Sequence, residues 1–436
     1  MTPGARCQSA IELLDAIDGA TAPADRVIRG WFRRRRYAGS GDRAAIRAWV
    51  YAVLRRQRQL DWWIEGRGGP ADNRGRVLAA LMVVEGWSVE DVGSAFDGGQ
   101  YRPASLADGE GAMVAALQGR TLDNPDQPDL VAANAPEVLA DDLRDSLGDG
   151  ISGELSAFLG EATVDLRVNT LKGDRQTVLA ALAREGIAAE ATTLSPLGLR
   201  LAGRAPITGG NAYKSGLVEL QDEGSQVVAL LVGAEAGSSV VDFCAGAGGK
   251  SLALAAAMEN RGRIVACDVD RARLDRAAPR LDRAGVAIVE PRLLDGVDDP
   301  WISSHAGGFD RVLIDAPCSQ MGAWRRNPES RWRLTAGEFA RLRALQVDLL
   351  DAAARLVSVG GRLVYATCSL LRRENEDQVA AFLDRAEGGW RTVPAGDAWR
   401  EAIGGACPAA GGEFLHLTPR QHGTDGFFAA VLERVR

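Results

Sequence analysis

The sequence predicts an α/β protein in three parts. These are an all-helical domain over residues 1–140, a small α+β domain over 141–235 and an α/β domain with a mainly parallel sheet over 236–436. Three observations carry this prediction. Apolar residues recur at helical spacing through the first 140 residues. Two strand-like runs then flank one short amphipathic helix. From Ala236 onward, apolar strands alternate with helix-length crossovers, which implies parallel strands in a sheet covered on both faces.

The helical elements are SAIELLDAI, DRAAIRAWVYAVLRR, RVLAALMVVEG, GEGAMVAALQGR and PEVLADDLRDSL, separated by Gly, Pro and Asp. In the second, Ile46, Val50, Val53 and Leu54 can share one stripe, flanked by arginines. TLDNPDQPDLVAANAPE is rich in proline and asparagine and is expected to be a connector. The middle part reads as strand ATVDLRVNT, helix RQTVLAALAREG and strand LGLRLAG, after which NAYKSGLVELQDEGSQVVALLVG leads by a helix into the last part. There the strands are SSVVDFCAG, RIVACDVD, AIVEPR, FDRVLIDAP, GRLVYATC and DGFFAAVLERV. Ligands of such sheets bind beyond the carboxyl ends of the strands.

At 436 residues with net charge −7, the chain is globular and acidic overall. The average hides two local fields. Nine arginines and one acid lie between Trp31 and Leu60, and six arginines and two acids between Met321 and Arg343. Such patches can focus a polyanion. No apolar run reaches the ~20 residues of a membrane span, and MTPGARCQSAIELL lacks a signal-peptide pattern. Six cysteines without paired spacing point to a reducing compartment, so the expected location is cytoplasmic. Three histidines give a metal centre little support.

Chemistry concentrates at strand ends. DFCAGAGGKS follows a strand with Gly246, Gly248 and Gly249, positions that let backbone approach a ligand. It is not a phosphate loop: Cys244 stands where a Walker A glycine is needed, and Ser251 where GxGxxG ends. Asp268, Asp295 and Asp315 follow three successive strands. Each could be a turn or cap acid; together they favour a nucleoside pocket. Cys318 in DAPC and Cys368 in YATC end neighbouring strand-like runs and could face one cleft. Cys7, Cys267 and Cys407 read as inert, and Cys244 as packing. A thiolate adding to C6 of a pyrimidine makes C5 nucleophilic, and a second group must then remove the C5 proton. Residue chemistry alone leaves open which thiol attacks.

DFCAGAGGKS, LIDAPCSQMGAWRRNPESRWR, LVYATCSLLRRENE and LTPRQHGTDGFFAAVLER resemble the signature blocks of the RsmB/NOP2/Sun family of RNA 5-methylcytosine methyltransferases. The resemblance extends upstream through DLRVNTLK and LVELQDEGSQ. The arginine-rich helical N-terminus is similar to the NusB-like RNA-binding domain of the bacterial 16S rRNA members. The resemblance implies a class I, Rossmann-like methyltransferase domain. Its cofactor would be S-adenosylmethionine, bound by Cys244, Ala245, Gly246, Ala247, Gly248, Gly249, Lys250, Asp268, Arg273, Asp295 and Asp315. It makes Cys368 the nucleophile and Cys318 the residue that assists product release, with Asp315 on the target base and Lys250 in the cleft. One block usually reads PCSGTG or PCSGSG; here Gln320 and Met321 replace the small residues.

The RNA contacts are expected from Arg325, Arg326, Arg331, Arg333 and Trp324, with Arg33, Arg34, Arg35 and Arg36 on the N-terminal domain. Arginines grip phosphates and an indole can stack on an unpaired base. The reading is a monomeric enzyme without metal that methylates cytosine C5 in RNA, with 16S rRNA as the favoured substrate. Two alternatives are the same chemistry on tRNA and a non-catalytic rRNA-binding assembly factor.

Overall fold

The computed structural model describes every residue except Arg204 and Ala410. The chain divides into two units. One comprises Met1–Gly160 with Trp324–Leu334, and the other Glu161–Ala323 with Thr335–Arg436.

The first unit is built of helices, the main ones being Pro3–Asp18, Ala24–Arg34, Ser40–Glu65, Asn73–Val83, Val89–Ala95 and Asp108–Leu117. Their starts follow from local chemistry. Thr2 caps the first helix by accepting from the Ala5 N–H, and Pro3 fits a position with no amide bond to lose. Asp72 caps Asn73–Val83, and Ser88 with Asp91 forms a capping box. The expected stripe on Ser40–Glu65 is buried: Ile46, Val50, Val53 and Leu54 are all at most 2% exposed. The helix is broken at Arg56, whose φ of −120° lies outside the helical region.

Two expectations need correcting here. The connector over residues 121–137 is an ordered part of this unit. It contains the short helix Asp129–Ala132, and Leu130, Val131 and Ala135 are buried. Asn134 is fully buried: its amide donates to Gln59 Oε1 at 2.6 Å, and its oxygen accepts from the Gln59 N–H. The expected boundary at 140 also falls inside the helical unit, because helices Ala140–Leu147 and Ile151–Ala157 continue it.

In the second unit a four-stranded antiparallel sheet is formed by β1 (Asp165–Val168), β2 (Ala189–Ala191), β3 (Gly198–Leu201) and β4 (Val218–Leu220), in the order β2-β3-β1-β4. Helix Arg175–Arg184 closes its core through Val178 and Leu182, which meet Leu166, Val168, Leu199 and Val218. β2 and β4 are too short to show alternation in the sequence.

The large sheet contains β5 (Ser239–Asp242), β6 (Arg263–Asp268), β7 (Val289–Leu293), β8 (Phe309–Asp315), β9 (Val357–Thr367), β10 (Trp390–Val393), β11 (Leu415–Leu417) and β12 (Phe427–Arg434). Its order is β10-β12-β9-β8-β5-β6-β7, with β11 beside β12. The five strands from β7 to β9 are parallel, and β12 runs antiparallel to β9. Alternate residues serve opposite faces, as a doubly covered sheet requires. Val241, Val265, Val312 and Leu363 pack under Leu350 and Ala353 of helix Ala336–Ala354. Val240, Ile264, Leu313 and Val364 pack under Leu254 of helix Gly249–Ala257 and Val227 and Leu231 of helix Glu223–Leu231. Among the described residues, no helix is long and apolar enough to cross a membrane.

Candidate active site

Register brings the two thiols together. β8 and β9 are parallel neighbours with Asp315 opposite Ala366. The chain therefore leaves both strands at the same level, three residues before Cys318 on one side and two before Cys368 on the other. Their sulfurs are 3.4 Å apart. The Gly322 N–H donates to the Cys368 carbonyl, and the Gly426 N–H to the Gly322 carbonyl, both at 2.9 Å. This packing needs glycine: a Cβ on Gly322 would lie 2.0 Å from the Gly426 carbonyl oxygen.

The thiols differ in setting. Cys318 is 5% exposed, whereas Cys368 is half-buried. The hydrogen bond with Cys368 and burial push the Cys318 thiol well above its ordinary range. Either sulfur can serve as the donor in this contact. Cys7 is pushed up to about 12 by burial, and burial also raises Cys244 and Cys267, as inert packing thiols require.

Lys250, the second residue of its helix, is buried, and its Nζ lies 2.5 Å from Asp315 Oδ2. It also stands 5.7 Å over the Phe427 ring, an aromatic wall that the sequence alone does not reveal. The pair links the turn after β5 to the end of β8.

The glycine turn is held from both sides. Gly246 and Gly248 have φ of +57° and +74°, the left-handed region where glycine is at ease. Asp268, at the end of β6, accepts from the Gly246 N–H at 2.9 Å and from the Asp270 N–H at 2.8 Å. Arg167 Nη1 on β1 donates to the Gly249 carbonyl at 2.8 Å, and Arg280 Nη1 to the Ala247 carbonyl at 2.6 Å. Glu219 on β4 pairs with Arg280 and Arg283. The small sheet thus clamps the turn, a function that the sequence does not disclose for Arg167 or Arg280. Beneath it Asp242 is fully buried and accepts from Ser251 Oγ at 2.6 Å. Asp295 is exposed, with its N–H donated to Asp299, and Arg273 pairs with Asp270 in the open.

Gln320 has φ of +58°. This explains why glycine usually stands at this place in the block: the turn after Cys318 requires a left-handed residue. Met321 is fully buried.

The expected RNA contacts of Trp324 and Arg331 are corrected. Trp324 is 1% exposed and meets Phe158 edge-on, with ring centroids 6.0 Å apart. Arg331 is 2% exposed; it donates to the Asn134 carbonyl and lies 4.4 Å over the Trp324 ring. Burial lowers its pKa to about 9. Arg333 donates to the Ala22 and Ile17 carbonyls, Arg325 is buried, and Arg326 is half-buried. Glu329 accepts from the Ala24 N–H, capping helix Ala24–Arg34 from 305 residues away. These residues bind the helical unit together, so a buried indole and guanidinium here cannot stack on or grip RNA. The N-terminal arginines fare differently. Arg33, Arg34 and Arg36 are exposed, while Arg35 lies 3.8 Å over Trp31 and pairs with Glu12.

The chemistry of the turn can be tested against a nucleoside cofactor. A Cβ on Gly246 would meet nothing within 4 Å, so the cradle is open, and Asp268 is fixed at its edge with oxygen lone pairs to spare. The residues present fit the group. A parallel sheet with one antiparallel strand at β12, a glycine turn after β5 and an acid after β6 define a class I, S-adenosylmethionine-dependent methyltransferase.

Residues 229–433 match the family model described as 16S rRNA methyltransferase RsmB/F, and residues 135–208 match its ferredoxin-like domain. A probable ribosomal RNA small subunit methyltransferase B of Synechocystis is 32% identical over 90% of this chain and 91% of its own length. The ribosomal RNA small subunit methyltransferase B of Xylella fastidiosa is 34% identical over the same shares. The crystal structure of PH0851 superimposes with a TM-score of 0.79 at 26% identity, covering 100% of this chain and 99% of its own. A methyltransferase homolog from Pyrococcus horikoshii superimposes with a TM-score of 0.59 at 26% identity, over 70% and 97%. The chain belongs to the RsmB/F family, and it is an RNA (cytosine-5) methyltransferase.

Proposed function

We propose that this chain methylates C5 of a cytosine in 16S rRNA through a covalent bond from Cys368 to C6. The observation that carries the reading is the 3.4 Å approach of Cys318 and Cys368 at the ends of β8 and β9, beside the Lys250–Asp315 pair. Two thiols this close share protons as a pair. The hydrogen bond with Cys368 and burial keep Cys318 protonated, which leaves the more exposed Cys368 as the attacking thiol. Attack at C6 moves electrons toward N3, where Asp315 holds the base edge and Lys250 is the proton source. C5 then becomes nucleophilic.

S-adenosylmethionine, when bound, supplies an electrophilic methyl group. Cys244, Ala245, Gly246, Ala247, Gly248, Gly249, Lys250, Asp268, Arg273, Asp295 and Asp315 are the residues assigned to hold it. Once Cys368 is a neutral thioether, its hydrogen bond and charge no longer oppose ionisation of Cys318. Cys318 can then lose its proton to solvent and take the C5 proton, N3 returns its proton to Lys250, and Cys368 leaves as the thiolate by elimination. The cytosine must be unstacked to reach both sulfurs, which favours a loop or an opened helix.

Arg33, Arg34 and Arg36 are assigned to RNA phosphates. Six free thiols suit the cytoplasm, where we place the enzyme as a monomer. Bisulfite sequencing of total RNA from cells lacking the gene, against parent cells, tests the substrate. One lost 5-methylcytosine in 16S rRNA is expected; a loss confined to tRNA would overturn the choice of RNA.

A further inference from the structure

Glu374 is fully buried on the turn that follows Cys368, yet its carboxylate reaches the other thiol's loop. Oε1 accepts from the Ser319 N–H at 2.8 Å and from Gln346 Nε2 at 3.2 Å, and Oε2 accepts from Ser319 Oγ at 2.6 Å. Gln346 also donates to the Pro317 carbonyl at 2.9 Å. Both neighbours of Cys318 are therefore fixed by Glu374 or by its partner. The other loop is tied to the same spot. Ser319 Oγ meets Ser369 Oγ at 3.2 Å, Asn375 Nδ2 donates to the Ser369 carbonyl at 2.9 Å, and Thr367 Oγ1 donates to Asn375 Oδ1 at 2.6 Å. Tyr365 on β9 donates to the Glu374 carbonyl at 2.7 Å, anchoring the turn to the sheet.

A buried carboxylate is costly to desolvate, and a hydrophobic residue would fill the same space at less cost. What a carboxylate supplies here is two acceptor oxygens rigidly fixed between two loops. We propose that Glu374 is a positioning residue: it sets the Cys318 loop against the Cys368 loop so that the two sulfurs act on one base. The inference rests on the thiol roles proposed above. Glu374 also lies near enough to Cys318 for its charge to add to the hydrogen bond with Cys368 and to burial in keeping that thiol protonated.

The test uses the full-length protein and separates thiol spacing from catalysis. Phenylarsine oxide is captured by two adjacent thiols, forming two S–As bonds and releasing water, and it resists displacement by a monothiol only when both bonds form. Wild type should capture it through Cys318 and Cys368, mapped with Cys318→Ala and Cys368→Ala controls. Glu374→Ala should lose monothiol-resistant capture and show kcat lower by about 10–100-fold, with KM for RNA within about threefold. Glu374→Gln keeps one acceptor oxygen, and its amide can donate to Ser319 Oγ, so it should recover most of both signals. A folded Glu374→Ala protein with wild-type capture would overturn the proposal. Capture lost with kcat unchanged would uphold Glu374 as the positioner and remove the thiol pair from the chemistry. Should Glu374→Ala not fold, Ser319→Ala removes the hydroxyl that meets Oε2 and Ser369 while keeping the backbone bond. Reduced capture in that variant supports the proposal, and wild-type capture overturns it.

Discussion

Lys250 Nζ stands 2.5 Å from Asp315 Oδ2, joining the helix after the glycine turn to the strand that leads into Cys318. One residue belongs to the cofactor side of the sheet and the other to the thiol side. Lys250→Met removes the proposed proton source and leaves Asp315 without its partner. Methyl transfer should fall by about 10²–10⁴-fold, while the melting temperature changes little because Asp315 is one-third exposed. Tritiated methyl incorporation checks the first and thermal denaturation the second. An activity within twofold of wild type would remove Lys250 from the chemistry.

The exposed side chain of Gln320 sits on a left-handed backbone at φ +58°. Gln320→Gly relieves a conformational cost of ~1–2 kcal/mol and loses ~0.5–1 kcal/mol through the greater freedom of the unfolded chain. The net expectation is a stabilisation of up to ~1.5 kcal/mol, read from a chemical denaturation midpoint. Destabilisation would show that the glutamine side chain makes interactions worth more than the strain.

Burial raises the pKa of Asp242 from its ordinary value near 3.8 to about 6, against the Ser251 hydrogen bond that lowers it. A carboxyl raised on folding binds its proton more tightly in the native state. Its contribution is therefore fully present below about pH 3.8 and lost as pH rises through about 6. Asp242→Asn keeps an acceptor for Ser251 and removes the ionisation. It should be more stable than wild type at pH 8, by about 1–3 kcal/mol, with the advantage shrinking toward pH 4. Urea denaturation at several pH values decides this; a difference independent of pH would mean that Asp242 does not titrate in that window.

Legibility in the sequence followed the length of the signal. Helices Pro3–Asp18, Ser40–Glu65, Asn73–Val83, Asp108–Leu117 and Ala140–Leu147 and strands β6, β8, β9 and β12 were readable because each repeats its pattern, and β5 because a glycine turn follows it. Helices Ala24–Arg34, Val89–Ala95 and Ile151–Ala157 were not read. β4, β10 and β11 have three or four residues and take their identity from partners distant in sequence. The thiols and Asp315 could be found because strand ends on one side of a parallel sheet converge. Glu374 lies within a recognisable block, but its task could not be found, since that depends on a turn that buries it beside Ser319. Trp324 and Arg331 misled for the same reason. Composition alone does not distinguish a guanidinium waiting for phosphate from one enclosed by Asn134 and an indole.

Arg33, Arg34 and Arg36 point into solvent, whereas Arg35 is committed to Trp31 and Glu12. Replacing the three exposed arginines by glutamine should weaken RNA binding on all sequences and flatten its dependence on salt. The slope should fall by ~0.7–0.9 for each phosphate that is no longer neutralised. RNA titrations at several salt concentrations report this. An unchanged slope would return these residues to ordinary solvated surface.

The two thiols 3.4 Å apart are proposed to have unequal tasks, attack by Cys368 and proton removal by Cys318. The direct measurement is a denaturing gel of each cysteine variant after incubation with substrate RNA and S-adenosylmethionine, followed by peptide mapping of any slow band. Cys318→Ala should accumulate an RNA adduct on Cys368, Cys368→Ala should form none and transfer no methyl, and wild type should turn over. RNA attached to Cys318, or full turnover by the Cys368→Ala protein, would contradict it.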